Sequence, residues 1–347
     1  MIVPTPASLT PSLLNGQPVS YIPYHTRTPY IQQYQLDVQY ELPRGIVLDA
    51  AYVGSKGQHI ALAADYNQIP ADLISNFTNP GVNMAVYRPY SQYQGISTTF
   101  GGGTSHYDSL QLRAQKQYTQ GLQFIANFTY SHTLDDGTGS GYGGAGAEGS
   151  VWQNGYSPSS SYGNSQLDVP ITFNGDVIYE LPFGKGKAFL NRGGVLNAII
   201  GGWVVSGLFQ IHSGTPFTPT MSSNLDGSLA GTWFPNRIGS GRLAHPTIAK
   251  WFNPADFIQP ADGTYGNSRR NILFGPSWRQ LDMSLSKHWA VRKFGQLADI
   301  SVRVDSSDVF NHPNFSNPNA VIGSPTVGVI TGANTSRALQ FNGKFTF

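Results

Sequence analysis

Apolar and polar residues alternate at the C-terminal end of the chain. Between Arg337 and Phe347 the large apolar residues share one parity, and most positions between them are polar. The apolar set is Leu339, Phe341, Phe345 and Phe347. Because successive side chains of a β-strand point to opposite faces, this segment predicts a strand with one apolar and one polar face. Its length matches the roughly 9–11 residues that a tilted strand needs to cross a bilayer.

The same pattern with a period of two recurs along the chain. It indicates eight further strands, at residues 32–42, 46–54, 106–118, 122–130, 171–181, 202–212, 279–289 and 299–305. Residues 94–100 alternate weakly, and we interpret them as an extension of the 106–118 strand that is interrupted at Gly101–Gly103. The pattern therefore predicts an all-β fold, an antiparallel transmembrane β-barrel with about nine spanning strands.

The connections between these segments alternate between short and long. Outer-membrane barrels keep short turns at the periplasmic rim and long loops at the outer rim. This rule assigns connections 43–45, 119–120, 182–201 and 290–296 to the inner rim. It assigns 55–105, 134–168, 213–277 and 311–336 to the outer rim, and residues 1–31 to an irregular extracellular start before the barrel residues 32–347. A repeated Tyr-Glu-Leu-Pro motif, at 40–43 and 179–182, then falls on the inner rim twice.

The segment from Gly193 to Ile211 is uncharged and close in length to a transmembrane helix. It contains polar residues such as Asn197 and five glycines, which a membrane helix of this length would not favour. We therefore predict a short helical turn at residues 195–200, followed by a strand from Gly202.

Composition narrows the class of protein. Charged residues make up 12% of the chain, about half the usual share of ~25% in soluble domains. Hydrophobic residues make up only 39% and the mean hydropathy is −0.23, which excludes a bundle of transmembrane helices. The absence of cysteine excludes disulfides and thiolate sites, and a net charge of +2 gives no argument for a nucleic-acid partner.

The start of the chain bears on its completeness. The first residues have neither the basic stretch nor the apolar core of a secretory signal. The predicted strand count is also odd, whereas complete bacterial barrels have even counts. We therefore expect only the C-terminal part of a barrel, without its signal peptide and plug.

Many local motifs follow the order and spacing of one family. They are Tyr52–His59, Tyr107–Leu112, Gly121–Phe124, Thr129–Ser131, Asp135–Asp136, Tyr179–Lys187, Gly201–Trp203, Ser213–Phe217, Arg270–Asn271, Gly275–Pro276, Val309–Phe315 and the terminal Phe347. Together they resemble the C-terminal half of TonB-dependent outer-membrane receptors of the Oar-like type, which carry a carboxypeptidase-regulatory-like domain, a plug and a barrel. One departure is Asp168–Pro170, where the family commonly has a more basic stretch.

The resemblance implies a transport protein of a Gram-negative outer membrane, not an enzyme, that imports a bulky nutrient without a cofactor. The implied partners are membrane lipid, the barrel-assembly machinery, which reads the terminal strand with Leu339, Phe341, Phe345 and Phe347, and the TonB complex through a plug absent from this chain.

Candidate ligand-facing residues are aromatic side chains in the long loops, because aromatics are enriched at binding surfaces. They are Tyr142, Trp152, Tyr156, Tyr162 and Trp233, with packing among the loops as the alternative role. His132 with Asp135–Asp136 forms a possible cation site, against a solvated loop end as the alternative. The sequence shows no catalytic set, no metal-ligand spacing and no phosphate-binding Gly-Lys-Ser/Thr motif.

Two other functions stay open from sequence alone. One is a soluble, secreted β-protein that binds carbohydrate, in which a second sheet would bury the apolar strand faces. The other is a passive porin-like channel, which requires a complete barrel with an even number of strands.

Overall fold

One large antiparallel sheet dominates the computed structural model, which describes residues 14–77, 81–137, 152–222, 227–293, 296–334 and 336–346. Its nine long strands are β1 (Tyr30–Leu42), β2 (Ile46–Asp65), β3 (Ile96–Thr119), β4 (Leu122–Asp135), β5 (Ile171–Glu180), β6 (Trp203–His212), β7 (Trp278–Lys293), β8 (Gln296–Ser307) and β9 (Ala338–Thr346). Each strand pairs with its neighbours in sequence, so the sheet is a meander. The predicted all-β fold with nine long strands is confirmed.

Short elements occupy the connections. The one α-helix of the described residues is α1 (Val195–Ile200), as predicted, and the 3-10 helices are Ile74–Asn76, Met84–Tyr87, Pro158–Ser161 and Pro254–Asp256. Short strands lie at Val19–Tyr21, Gly163–Asn164, Pro216–Phe217, Thr220–Met221, Asn236–Arg237, Phe257–Ile258, Leu273–Phe274 and Val321–Ile322. In the part of the chain that is described, no helix is long and apolar enough to span a membrane.

The expectation that residues 55–65 form an irregular loop is wrong, because β2 continues through Asp65. The alternation is broken there by a β-bulge, in which His59 takes a positive φ of 57°. Gly101 makes the bulge possible, since a Cβ at that position would lie 2.8 Å from the carbonyl oxygen of Arg27 and 3.2 Å from that of His59. Residues 96–100 extend β3 as predicted, although the glycines shift its pairing rather than interrupt it.

The start of the chain is also less irregular than expected. Val19–Tyr21 pairs in parallel with Ile96–Thr98, and β1 begins at Tyr30.

The short turns follow ordinary hairpin geometry. Thr119 pairs with Leu122, and the two residues between them, Gln120 and Gly121, have φ values of 54° and 81°. A two-residue turn of this kind requires positive φ at both positions, which glycine adopts without a steric cost.

Cross-strand pairing separates the two faces of the sheet. One row of paired residues is apolar across five strands: Tyr179, Val205, Leu285, Val304 and Phe341. Another row is polar across seven strands: Gln39, Asp49, Arg113, Asn127, Asn174, Gln210 and Gln280. Leu112, on the apolar face of an interior strand, is 41% exposed, so within the described residues no second sheet covers it there as a sandwich would require.

Both Tyr-Glu-Leu-Pro motifs end at the same rim, as predicted. The motif at Tyr40 closes β1 and the motif at Tyr179 closes β5, and four antiparallel steps separate these strands. The terminal strand β9 pairs with β8 from Ser307–Ala338 to Asp299–Thr346, in agreement with the prediction for residues 298–310. Among the described residues β1 and β9 form the two edges of the sheet and do not pair with each other. Leu339, Phe341 and Phe345 are exposed there, and Phe347 lies outside the described residues.

Polar side chains mark the two ends of the apolar face on β3. Near the inner rim, Lys116 donates a hydrogen bond from Nζ to the carbonyl oxygen of Arg44 at 3.0 Å. Near the outer rim, Asp108 accepts one from the Tyr52 hydroxyl at 2.5 Å. The eight residue-to-residue steps from Asp108 to Lys116 rise by about 26 Å along the strand, or about 20 Å along the membrane normal at the usual tilt, comparable with the roughly 25 Å apolar band of such barrels. Leu112 lies halfway between these two ends.

Substitution at Leu112 tests the assignment of the faces. We expect Leu112→Arg to lower the unfolding free energy of the full chain in phospholipid vesicles by about 2–4 kcal/mol, because it places a charge at mid-membrane. Gln111→Arg puts the same charge on the polar face and is expected to cost less than about 1 kcal/mol. Urea titration of both variants provides the measurement, and equal losses would show that the faces are assigned wrongly.

Candidate functional site

The long connections meet at one rim of the sheet. They follow β2, β4, β6 and β8 and cover residues 66–95, 136–170, 213–277 and 308–337. Two small hydrophobic cores lie within them. The larger consists of Phe217, Phe252, Phe257, Leu273 and Ile322, and the smaller of Ile69, Ile74 and Met84. Because the buried apolar residues lie mainly in the loops and not behind the sheet, the described parts of these connections form a packed body, which we call the outer layer.

Arg270 is the central ionic group of the outer layer. Its side chain is 1% exposed and forms an ion pair with the carboxylate of Asp135, at the end of β4. It also donates hydrogen bonds from Nη2 to the carbonyl oxygen of Asp135 at 2.7 Å and from Nε to that of Ser161 at 2.9 Å. Burial lowers the pKa of Arg270 to about 10, which still leaves the guanidinium charged at neutral pH. One side chain therefore ties the 136–170 and 213–277 loops to the barrel wall.

Two buried amides join three loops. Gln68 donates from Nε2 to the carbonyl oxygen of Gln153 at 2.6 Å and accepts from the backbone N–H of Gly155 at 2.6 Å. Gln153 donates from Nε2 to the carbonyl oxygen of Gly266 at 2.9 Å and accepts from the N–H of Phe234 at 3.0 Å. Each amide thus uses both its donor and its acceptor, as a buried polar group must to avoid a desolvation cost.

An aromatic pocket of about 520 Å³ opens beside these contacts. Its ring-bearing walls are Tyr21, Tyr66, Tyr90, Phe100 and Tyr156. The Tyr66 ring lies between two others, with its centroid 5.2 Å from that of Tyr21 and 6.3 Å from that of Tyr90. Tyr66 is 52% exposed, so part of its ring is available to a ligand.

The carboxylate and the Tyr156 hydroxyl of the aromatic pocket are engaged by the protein itself. Asp65 accepts hydrogen bonds from the backbone N–H groups of Asn67 at 2.8 Å and Ile96 at 2.9 Å, and lies 3.4 Å from the guanidinium of Arg88. The Tyr156 hydroxyl donates to the carbonyl oxygen of Gln68 at 2.7 Å, and burial raises its pKa so that it stays a donor. The pocket therefore offers aromatic faces and neutral hydrogen-bonding groups, which suit stacking and capture rather than proton transfer.

The carboxylates near His132 make their contacts with protein groups. His132 Nδ1 lies 3.2 Å from the carboxylate of Asp168, and Asp135 pairs with Arg270. Asp136 accepts from the N–H and hydroxyl of Thr104 at 2.8 and 2.7 Å. The structure thus gives each member of the proposed cation site a separate partner. Within the described residues, no group of three metal-binding side chains is found.

The sequence of residues 2–340 matches the model of a family described as outer membrane beta barrel domain. The chain belongs to this outer-membrane β-barrel family. The exposed apolar rows of the sheet are accordingly its lipid face, and the protein is located in the outer membrane. A comparison with the sequences of curated proteins found no match.

Solved structures of outer-membrane proteins show general similarity to this barrel. The outer-membrane transporter YddB from Escherichia coli aligns with a TM-score of 0.48 and 10% identity, over 91% of this chain and 32% of that one. The ferripyoverdine receptor of Pseudomonas aeruginosa aligns with a TM-score of 0.41 and 12% identity, over 90% of this chain and 26% of that one. The barrel chain thus spans about a third or less of the length of these proteins.

The predicted ligand-facing aromatics have different surroundings in the barrel. Tyr156 lines the aromatic pocket. Trp152 is 2% exposed, donates from Nε1 to the carbonyl oxygen of Asp136 at 2.8 Å and packs edge-on against Phe100, so it supports the pocket from behind. Tyr162 and Trp233 are half-buried elsewhere in the outer layer, and burial raises the pKa of Tyr162. Tyr142 lies outside the described residues.

Sequence reasoning missed most of the pocket. Tyr21, Tyr66, Tyr90 and Phe100 come from three separate stretches of the chain and show no common spacing. The one local signal is the close spacing of the tyrosines at positions 87, 90 and 93, in a loop that shows no strand-like alternation.

Removal of the Arg270 guanidinium tests its role in the outer layer. We expect Arg270→Met to lower the unfolding free energy by about 3–5 kcal/mol, because it leaves the Asp135 carboxylate buried without its cation. The adjacent Arg269 is exposed, and Arg269→Met is expected to change the unfolding free energy by less than about 0.5 kcal/mol. Denaturant unfolding and limited proteolysis of the outer loops would measure both. Equal stability of the two variants would contradict this role.

Proposed function

We propose that the barrel is the wall portion of a TonB-dependent receptor, a transporter and not an enzyme, that imports a bulky nutrient across the outer membrane. The observation that carries the proposal is the outer layer itself. Its loops are fixed by buried contacts and present a defined aromatic pocket, an arrangement that favours capture of a specific ligand before passage.

The motifs behind the family resemblance support this role. Arg270–Asn271 and Asp135–Asp136 contribute the buried ionic and hydrogen-bonding contacts between the loops and the wall. Within Ser213–Phe217, Pro216–Phe217 pairs with Leu273–Phe274 inside the same layer. Part of the residues that resemble receptors of this type thus lies where the outer layer is held together, while other motifs, such as Tyr179–Lys187 and Gly201–Trp203, lie at the inner rim.

The aromatic pocket favours a neutral, polar ligand with flat faces, such as an oligosaccharide. Tyrosine rings stack on apolar faces while their hydroxyls form hydrogen bonds. Asp65, the one carboxylate that lines the pocket, is already paired with Arg88, so the pocket does not select for a charged ligand. The exposed aromatics Tyr66 and Tyr156 are the proposed ligand contacts, with Tyr162, Trp233 and Tyr142 as further candidates from the loops.

Assembly and energy coupling complete the proposal. The terminal strand β9, with Leu339, Phe341, Phe345 and Phe347, would be read by the barrel-assembly machinery. Coupling to the TonB complex would require a plug domain in addition to the barrel wall.

Uptake measurements in the native organism test this function. Cells with the gene deleted are expected to leave one class of bulky solute in a complex medium that the parent strain consumes. A protonophore is expected to block entry of that solute into the periplasm of the parent strain, because TonB-dependent import needs an energised inner membrane. Entry that continues with the protonophore would instead support a passive channel, and identical consumption by both strains would oppose a transport role.

Substitution at Tyr66 tests the pocket. We expect Tyr66→Ala to weaken binding of the identified solute by about fivefold or more, in line with about 1–3 kcal/mol for loss of an aromatic contact at a binding surface. Tyr66→Phe retains the ring and is expected to bind nearly as the parent does. Tyr118→Ala removes an exposed tyrosine from the opposite rim and serves as the control. Equal binding by the alanine variants at 66 and 118 would exclude the pocket as the ligand site.

A further inference from the structure

The connection between β5 and β6, residues 182–201, exposes several large apolar side chains. Its exposed apolar side chains are Phe183, Phe189, Leu190, Val195, Leu196 and Ile199. Val195 and Leu196 both lie on the same side of α1 as Ile199, since residues three and four positions apart on a helix are neighbours. Exposed apolar groups that cluster in this way mark an interaction surface.

All charged residues of the same connection are basic. Residues 181–202 contain Lys185, Lys187 and Arg192 and no acidic residue. Lys187 pairs with Glu180, at the end of β5, at 2.9 Å, whereas Lys185 and Arg192 are exposed. A short segment with an apolar side and exposed cations is typical of a surface that meets anionic phospholipid.

Three side chains hold α1 against the wall by its C-terminal carbonyl groups. Lys287, which is 1% exposed, donates from Nζ to the carbonyl oxygens of Ile199 at 3.0 Å and Gly201 at 2.5 Å. Trp289 Nε1 donates to the carbonyl oxygen of Ala198 at 2.7 Å, and Trp203 Nε1 donates to that of Ile199 at 2.9 Å. The Lys287 ammonium lies 5.4 Å from the ring centroid of Trp203 and 5.1 Å from that of Trp289. We call these three residues the lysine–tryptophan clamp.

The clamp lies on the lipid face of the sheet. Lys287 pairs with Trp203 and Trp289 pairs with Ile300, and these positions have the same parity as Leu285 in the apolar row. The helix they hold is therefore outside the barrel wall and not over its lumen. At the inner rim, the surroundings outside the wall are the headgroups and upper acyl chains of the periplasmic leaflet, where tryptophan and lysine are favoured.

We propose that residues 182–201 form an interfacial anchor that lies in the periplasmic leaflet of the outer membrane. Val195, Leu196 and Ile199 enter the upper acyl region, while Lys185 and Arg192 contact lipid phosphates. The occupant is lipid because the exposed apolar side of α1 continues the lipid face and its charge complements anionic headgroups. The anchor is independent of ligand uptake and depends only on the barrel lying in the membrane.

Single-cysteine labelling tests the anchor, since the sequence has no native cysteine. The full chain is labelled with an environment-sensitive fluorophore at Leu196→Cys or Ile199→Cys. It is then folded into vesicles of phosphatidylethanolamine and phosphatidylglycerol. We expect quenching by lipids with a nitroxide on the upper acyl chain and little quenching by aqueous iodide. Phe341→Cys, on the lipid face, and Gln210→Cys, on the polar face, provide the lipid-exposed and lipid-shielded references.

The clamp gives a second measurement. Combined with the label at position 196, Lys287→Gln is expected to reduce nitroxide quenching and increase iodide quenching, while the label at position 341 is unchanged. A change in quenching at both positions 196 and 341 would show that Lys287→Gln misfolds the wall. The test of the anchor would then rest on quenching of the parent barrel labelled at position 196. Iodide quenching of the parent at positions 196 and 199 would overturn the anchor by placing α1 in water. Protection from both quenchers would overturn it in favour of a protein partner.

Discussion

The fold depends on the hydrogen bonding of backbone groups that lie in lipid. Because the hydrocarbon core offers no water, each spanning strand must pair along its length, and pairing fixes which side chains face lipid. The bulge at His59 shows how strictly this holds. Gln58 pairs with Thr104 before the bulge and Leu62 pairs with Phe100 after it, so the two register shifts cancel and the faces are preserved beyond the bulge.

Strand positions could be predicted from sequence because their cause is local. A period of two, the short turns and the six-residue helix at Val195 all leave a signal within a few neighbouring residues. The extension of β2 could not be predicted because the bulge at His59 interrupts the alternation of apolar and polar residues. Gly101, which lies opposite the bulge, is some 40 residues away in the sequence. The outer layer was missed for a related reason. Gln68 and Gln153 are 85 positions apart, and neither an isolated glutamine nor Arg270 reveals from its neighbours that it will be buried.

The two rims solve one problem in the same way. Irregular backbone has carbonyl groups that form no hydrogen bonds within a β-sheet. At each rim, long side chains donate hydrogen bonds to such groups. Arg270 serves the outer loops and Lys287 serves the end of α1, both with about 1% of the side chain exposed. A buried lysine or arginine suits this role because a single side chain carries several N–H donors. Its hydrogen bonds to carbonyl oxygens are also stronger than those of a neutral donor.

The two small cores of the outer layer have a consequence for how this protein can change. Because these loops bury their own apolar residues, they form a unit whose stability is partly separate from that of the wall. Substitutions that reshape the pocket then affect the stability of the outer layer. The pairing of the long strands and their contact with lipid stay the same. The wall can therefore stay the same while the outer loops vary, as a rigid framework supports variable loops in other proteins.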